Sequence, residues 1–179
     1  MSVYHDVIIA GFGGQGVMLA GTLLGLAGMH ADLKVTYLPV YGPEIRGGTA
    51  NCTVVLSNED IGTPIIQRPL STIILNQPSL DKFQPKLKDN GLQVINSSLV
   101  DPKLAQTRVR TVAVAANDIA DALGNQKMAN MVAIGAYIKA SGALPLDVVL
   151  ASLPFAIASH YHHLLAKNAE AIKAGYEAV

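Results

Sequence analysis

Two glycine-rich segments near the amino terminus contain the residues best suited to hold a ligand. The first is GFGGQG, from Gly11 to Gly16, and the second is YGPEIRGGTANC, from Tyr41 to Cys52; each follows a short apolar run. Glycine lets other groups approach the backbone closely, and the ligands of open α/β sheets gather at the carboxyl ends of strands. We therefore expect a functional edge where the first two strands end.

The first segment has the spacing of a turn that binds anions. Val7 to Ala10 is an apolar run of strand length, and Val17 to Met29 continues as a helix. The GxGxxG pattern between them directs backbone N–H groups and the positive end of a helix to one place, which suits a phosphate or a carboxylate. Tight packing of the helix on the sheet explains the same spacing. The candidate residues are Gly11, Gly13, Gly14, Gln15 and Gly16.

An ordinary NAD site is not expected at this turn. The dinucleotide fingerprint includes an acidic residue at the end of the second strand, where it binds the ribose hydroxyls. Here the second strand, Lys34 to Leu38, continues into Pro39, Val40 and Tyr41, and no acidic residue follows until Glu44. The pattern therefore favours an anion without a defined ribose contact.

The second segment places charged side chains on an unusual backbone. Pro43 fixes one backbone angle, while Gly47 and Gly48 free two more. Such a turn can present Arg46, whose guanidinium fork suits a carboxylate or a phosphate. An ion pair of Arg46 with Glu44 or with an aspartate, which would hold the loop, is the other explanation. The candidate site residues of this segment are Glu44, Arg46, Gly47, Gly48 and Thr49.

Polar residues also follow two later strands. Asn76 comes after the strand Ser71 to Leu75, and Asn96 comes after the strand Leu92 to Ile95. If these strands are parallel to the first, both asparagines lie at the same edge as the glycine-rich segments. Asn76 is therefore a further candidate for binding a cofactor. Hydrogen bonds to loop backbone are the other explanation for both asparagines.

No catalytic and no metal-binding residue is identified. His160, His162 and His163 form a local cluster, but no acidic or cysteine ligand accompanies them. A position at a helix start or on the surface is therefore expected for them rather than a metal site.

The motifs, in this order, resemble the gamma subunit of 2-oxoacid:ferredoxin (or other acceptor) oxidoreductases. GFGGQGV begins at Gly11, YGPEIRGGTANCTVVLS at Tyr41 and NQPSLDKF at Asn76. The likeness extends to three later segments, which are INSSLV from Ile95, KMANMVAIGAY from Lys127 and EAIKAGYE from Glu170. The wording is most similar to the enzymes that use 2-oxoglutarate or a branched-chain 2-oxoacid such as ketoisovalerate, and pyruvate enzymes come next.

The resemblance implies a subunit of an oxidoreductase rather than an enzyme active alone. Such complexes convert a 2-oxoacid to an acyl-CoA and carbon dioxide, using thiamine diphosphate, Mg²⁺, CoA as co-substrate, and 4Fe–4S clusters that pass electrons to ferredoxin. One cluster needs about four cysteine ligands, whereas this chain has only Cys52. The cofactors are therefore expected in partner alpha and beta subunits, with a ferredoxin-like delta subunit as a further candidate.

Two other classes stay open on the residues alone. A free-standing nucleotide- or CoA-binding module is favoured by the Gly11 loop and Arg46. An autonomous oxidoreductase is disfavoured, because neither an acidic ribose contact nor an acid–base pair is evident.

The composition excludes several kinds of partner. Thirteen basic and 13 acidic residues give a formal net charge of zero, which predicts no nucleic-acid binding. Half of the residues are hydrophobic and 15% are charged, which is typical of a surface that meets another protein. The uncharged stretches Val7 to Met29 and Val148 to Ala166 are interrupted by glycines, or by Pro154 and histidines, so no membrane span is predicted. A single cysteine fits a reducing cytoplasm.

The order of strand and helix signals predicts an α/β fold. We expect one domain over residues 1–179, built as a three-layer α/β/α Rossmann-like domain with a mostly parallel, mixed sheet and a helical C-terminal part. The strand Cys52 to Ser57 follows Leu38 without a helical stretch between them. Because a parallel crossover normally needs a dozen or more residues, this strand is predicted to be antiparallel.

Three further elements are predicted from local signals. Ile61 to Ile66 is expected to be a short edge strand, bounded by prolines. The helix Leu146 to Leu153 is expected to end at Pro154, and His162 to Val179 is expected to form a terminal helix.

Overall fold

The computed structural model describes residues 2–40 and 49–179. Within these ranges, six strands form one sheet in the spatial order β2-β3-β1-β4-β5-β6. The strands are β1 (Tyr4–Phe12), β2 (Lys34–Val40), β3 (Thr49–Ser57), β4 (Ser71–Ile74), β5 (Leu92–Asn96) and β6 (Arg110–Val114).

The described helices alternate with strands at first and then follow one another. The α-helices are α1 (Val17–His30), α2 (Gln77–Phe83), α3 (Ala116–Ala122), α4 (Ala129–Ser141), α5 (Leu146–Ala156) and α6 (Leu165–Glu177). Short 3₁₀ helices span Gln84–Lys86, Pro102–Leu104, Gln126–Met128 and Ser159–Leu164. None of the described helices is both long and apolar enough to cross a membrane.

Only β3 runs against the other described strands. It pairs antiparallel with β1 on one side and with β2 on the other, while β1, β4, β5 and β6 pair in parallel. The predicted mixed, mostly parallel sheet and its antiparallel third strand are confirmed. The connection between β2 and β3 is too short for a crossover helix, so the chain reverses direction.

The two faces of the sheet are covered unequally. Val7 and Ile9 of β1 point to the first face, where they join the main core with residues of α1, α3, α4, α5 and α6. Ile8 and Ala10 point to the second face and join a smaller core with Leu80 and Phe83 of α2. The alternation follows from the two-residue period of a strand. The sheet is thus layered on both sides, and the helical C-terminal part lies on the first face.

Two local predictions are wrong. Residues 61–66 form no strand, because the Thr63 hydroxyl accepts a hydrogen bond from Ile65 N at 3.1 Å and Pro64 lacks a donor, both of which compete with strand pairing. Helix α5 continues past Pro154 to Ala156. A proline this close to the end removes only one helical hydrogen bond, and Ile157 N still donates to Leu153 O at 3.0 Å.

The start of the terminal helix is also later than predicted. The chain passes through the 3₁₀ helix Ser159–Leu164 before α6 begins at Leu165. His162 lies in that 3₁₀ helix, and its Nε2 contacts Pro154 O at 3.1 Å and Ile157 O at 2.8 Å. The imidazole therefore caps carbonyl groups at the end of α5, as basic residues commonly do.

Helices α4 and α6 cross in close contact through two glycines. A Cβ atom on Gly135 would overlap Ile172 O, and a Cβ atom on Gly175 would overlap Val132 O, both well inside van der Waals contact. The obstructing atoms are backbone, so a small side-chain movement cannot relieve the overlap. The two backbones approach this closely only because neither glycine carries a side chain.

We predict that Gly135→Ala lowers the free energy of unfolding by roughly 1–3 kcal/mol, because overpacking of the crossing outweighs the better helix propensity of alanine. Gly25→Ala in α1 is the matched control, since its Cβ would lie 3.6 Å from Val35 Cγ1, an ordinary contact. That variant should be neutral or slightly stabilised. Urea denaturation of both variants makes the comparison, and equal midpoints would contradict the predicted overlap.

Candidate functional site

The carboxyl ends of the parallel strands meet at one edge, which we call the carboxyl edge. Phe12 ends β1, Ile74 ends β4 and Asn96 ends β5. Thr49 begins β3 opposite Phe12, so the reversed strand starts at the same edge. The structure thus brings together the first glycine-rich turn, Thr49, Asn76 and Asn96. Four other predicted site residues, which are Glu44, Arg46, Gly47 and Gly48, lie outside the described residues.

The glycines of the first turn divide into two pairs. A Cβ on Gly11 would lie 2.7 Å from Gln15 Oε1 and 3.0 Å from Leu75 Cβ. A Cβ on Gly16, whose φ is +73°, would overlap the side chain of Asn130. These two glycines therefore serve packing inside the protein. At Gly13 and Gly14, by contrast, a Cβ would meet no atom of a described residue within 4 Å, so the described part of the chain leaves their backbone open.

The side-chain amide of Gln15 holds the turn through hydrogen bonds. Its Oε1 accepts hydrogen bonds from Phe12 N at 2.7 Å and from Asn76 Nδ2 at 3.1 Å, and its Nε2 donates to Leu75 O at 3.3 Å. One side chain thus links the end of β1 to the end of β4. This arrangement needs a glycine at position 11, because the Gln15 amide occupies the space that a side chain would fill.

Asn76 and Asn96 are buried and hydrogen bonded within the protein. Asn76 is 2% exposed, and its Oδ1 caps α2 by accepting from Ser79 N at 3.0 Å. Asn96 is 1% exposed; its Oδ1 accepts from Ala116 N at 3.1 Å, and its Nδ2 donates to Asn117 Oδ1 at 2.7 Å. Both amides therefore hold loop and helix ends, and Asn96 also positions Asn117 at the surface of the edge.

A polar cleft of about 210 Å³ opens beside this amide network. Gly14, Gln15, Asn96 and Asn117 line one part of it, and Gln126 and Lys127 line another. Of the described lining residues, Lys127 alone carries a charge. Helix α1 begins nearby with no acidic residue in its first turn and no side-chain cap. The partial positive charge at the start of a helix, together with the lysine, favours an anion at this edge.

Four residues at this edge are not among the site residues predicted from the sequence. Asn117, Gln126 and Lys127 line the cleft, and Asn130 Nδ2 donates to Gly16 O at 3.1 Å, which fixes the last residue of the turn. Three of them, Gln126, Lys127 and Asn130, lie more than 100 positions after the turn in the chain. The available signal was the segment KMANMVAIGAY, which contains both Lys127 and Asn130.

The lone cysteine is a packing residue. Burial raises the pKa of the Cys52 thiol to about 12, and the thiol contacts Val17 O at 3.5 Å. A thiol of such high pKa is protonated and unreactive at neutral pH. Among the described residues, no three His, Cys, Asp or Glu side chains are placed to hold a metal ion. His160 and His163 are exposed.

The chain matches the family described as pyruvate ferredoxin/flavodoxin oxidoreductase over residues 6–178, and it therefore belongs to that family. It is 40% identical over 141 residues to the ketoisovalerate oxidoreductase subunit VorA of Methanothermobacter thermautotrophicus, which covers 79% of this chain but only 29% of that relative. It is 35% identical over 146 residues to the 2-oxoglutarate synthase subunit KorC of Methanothermobacter marburgensis, covering 78% of each chain.

The fold is also found among solved structures. The gamma subunit of a keto/oxoacid ferredoxin oxidoreductase from Geobacter sulfurreducens has a TM-score of 0.83 at 24% identity, covering 97% of this chain and 95% of that one. This agreement confirms the predicted α/β fold. The relatives named above are subunits of 2-oxoacid oxidoreductases, as the sequence motifs predict.

We predict that the Gln15–Asn76 contact holds the turn in place. Gln15→Ala should lower the free energy of unfolding by about 1–2 kcal/mol, because Phe12 N and the Asn76 amide lose their acceptor. In a double-mutant cycle with Asn76→Ala, the two changes should couple by more than about 0.5 kcal/mol.

Gln77→Ala is the matched control for this cycle. Gln77 is the same residue type and makes only an exposed helical contact to Asp81 at 2.9 Å, so its loss should change stability by less than about 0.5 kcal/mol. Additive effects of Gln15→Ala and Asn76→Ala in urea denaturation would show that the contact does not stabilise the turn.

Proposed function

We propose that this chain is the gamma-type subunit of an oxidoreductase that converts a 2-oxoacid and CoA to an acyl-CoA and carbon dioxide, with ferredoxin as electron acceptor. The family match over residues 6–178 carries the proposal. The likeness to a 2-oxoglutarate synthase subunit, of which the chain covers 78%, supports it as well. Since the chain spans only 29% of the VorA relative, the activity requires polypeptide that this chain does not contain.

In this proposal the redox and thiamine chemistry belongs to partner alpha and beta subunits, with a ferredoxin-like delta subunit as a further candidate. Thiamine diphosphate, Mg²⁺ and 4Fe–4S clusters are assigned to those partners. One buried, protonated cysteine supports this assignment, because a cluster needs about four thiolate ligands. A complex coupled to ferredoxin and a chain with one free thiol both fit the cytoplasm.

The proposed substrate is a branched-chain 2-oxoacid or 2-oxoglutarate. The curated relatives named above are a ketoisovalerate and a 2-oxoglutarate enzyme, and the motifs YGPEIRGGTANC and NQPSLDKF favour the same two classes. The substrate pocket itself is assigned to the partner subunits, because the described part of this chain presents no acid–base pair at the carboxyl edge.

The carboxyl edge is the proposed contact of this chain with CoA or with the partner subunit that holds it. The open backbone at Gly13 and Gly14, the uncapped start of α1 and Lys127 together suit a phosphate group. Gly11, Gln15, Gly16 and Asn76 then act indirectly, by fixing the turn. The proposed site also includes Glu44, Arg46, Gly47, Gly48 and Thr49, which the motif YGPEIRGGTANC predicts.

Affinity purification from the native host under anoxic conditions tests the function. The tagged chain should be recovered with larger subunits that contain thiamine diphosphate and iron–sulfur clusters, detected by mass spectrometry and metal analysis. The preparation should form acyl-CoA from 2-oxoisovalerate or 2-oxoglutarate faster than from pyruvate. Recovery of the chain alone, with 2-oxoacid oxidation by that chain, would overturn the proposal.

Gly13→Ala tests the role of the open turn in the purified complex. The added methyl group meets no described atom and lies at a backbone angle that alanine accepts, so the fold should be unchanged. If CoA approaches this backbone, its KM should rise about tenfold, which corresponds to about 1.4 kcal/mol. Gly62→Ala is the matched control, because its Cβ also meets nothing within 4 Å. An unchanged KM for CoA in Gly13→Ala would remove the turn from the CoA site.

A second candidate function is a free-standing CoA- or nucleotide-binding module. The open backbone at Gly13 and Gly14 beside Lys127 is the observation that favours it. Calorimetry of the isolated chain with CoA distinguishes the two, since a module would bind without partners.

A further inference from the structure

The second face of the sheet carries a groove over β2 and β3. Helix α2 packs on β1 and β4, whereas this groove of about 450 Å³ lies farther along the sheet. Its walls include Leu38 and Val40 of β2, the irregular segment with Ile65, Ile66 and Arg68, and Lys86. We call this feature the second-face groove.

Strand register places the apolar floor of the groove on this face. Ile8 points to the second face and pairs with Thr53 of β3, which in turn pairs with Leu38 of β2. Val40 lies two residues beyond Leu38 and so points the same way. On the first face, α1 covers the corresponding part of β2 and β3. Among the described residues, helices therefore cover these two strands on the first face only.

The groove exposes large apolar side chains. Ile65 is 64% exposed and Val40 is 42% exposed, and they lie at the same opening with the half-buried Leu38. Among the described strands, β2 is also an edge of the sheet, with one side unpaired. Contiguous apolar surface beside an unpaired strand edge is typical of protein contacts.

The described side chains that line the groove carry charge of one sign. The described residues that line it include Arg68 and Lys86 and no acidic side chain. Neither cation forms an ion pair with another described residue. Lys86 Nζ lies 5.6 Å from the centroid of the Phe83 ring, and Lys82 Nζ lies 5.3 Å from it. Two cations, Arg68 and Lys86, therefore line the groove on a chain whose formal net charge is zero, and a third, Lys82, lies near the Phe83 ring at its wall.

We infer that the second-face groove docks a segment of a partner protein subunit that carries aliphatic and acidic side chains. Aliphatic groups would cover Ile65 and Val40, and carboxylates would pair with Arg68 and Lys86, which combines an apolar centre with a charged rim as in protein interfaces. A nucleic acid would leave the apolar floor unused. The inference rests on the proposed function, since it assigns the partner to the same complex, and it places that contact away from the carboxyl edge.

Charge reversal in the native complex tests the docking surface. Arg68→Glu combined with Lys86→Glu in the tagged chain should reduce the recovery of the thiamine-bearing subunits at least about tenfold, because like charges would then face each other. The conservative pair Arg68→Lys and Lys86→Arg should retain them. Lys167→Glu combined with Lys173→Glu on the exposed side of α6 is the matched control and should also retain them. Wild-type recovery with the first pair would overturn the inference while leaving the proposed function intact.

Hydrogen exchange of the wild-type protein gives a test that does not depend on variants. Residues 61–68 and β2 should exchange more slowly in the complex than in the isolated chain. Equal exchange in both would overturn the inference. It would mean either that another part of this chain already covers the groove or that nothing covers it in the complex. Dimerisation of the isolated chain that the charge reversal abolishes would also overturn it, in favour of a second copy. Recovery of the wild-type chain without larger subunits would overturn the proposed function and this inference together.

Discussion

The reversed strand β3 is the constraint on which the arrangement of the carboxyl edge depends. It lies between β1 and β2 and pairs with both along their length. As a result, Thr49 begins β3 directly opposite Phe12, where β1 ends. A helical crossover would instead have started the third strand at the opposite edge of the sheet. The short connection thus decides that one edge receives both Thr49 and the first glycine-rich turn.

At that edge, packing and openness are assigned to different glycines of one motif. Gly11 and Gly16 leave room for the amide groups of Gln15 and Asn130, which hold the turn against β4 and α4. At Gly13 and Gly14, no atom of the other described residues would contact an added Cβ. The two explanations of a GxGxxG spacing, internal packing and approach of a ligand, therefore apply to different positions.

The sheet is asymmetric in a way that suits a subunit. Its first face is covered by five helices of the described chain, and α4 and α6 approach through Gly135 and Gly175 as closely as backbones allow. Its second face has a small core around α2 and a groove over β2 and β3 that Arg68 and Lys86 line. Hydrophobic burial over β2 and β3 is therefore incomplete on the second face. Such incomplete burial is what a protein contact would finish.

Local signals in the sequence determined most elements of this protein. Apolar runs defined the buried strands, and the absence of helical residues between Leu38 and Cys52 determined that β3 is antiparallel. The GxGxxG spacing and the asparagines at the ends of β4 and β5 determined the edge at which polar groups gather. Local signals failed in two places where side-chain contacts compete with them. The Thr63 hydroxyl accepts a hydrogen bond from Ile65 N in the segment predicted to be a strand. His162 contacts Ile157 O at the end of α5, which extends beyond Pro154.

Only the tertiary structure decided which polar residues are used internally and which face a cleft. The amide oxygens of Asn76 and Asn96 accept hydrogen bonds from helix and loop ends, and Asn96 also lines the cleft beside Asn117, Gln126 and Lys127. The reason is physical: a residue's spacing along the chain reports its local backbone, but its hydrogen-bond partners and its exposure depend on elements that are remote in sequence. The same reason explains why the motif alone could not separate Gly13 and Gly14 from Gly11 and Gly16, since the atoms beside Gly11 and Gly16 include those of Leu75, just after β4, and of Asn130 in α4.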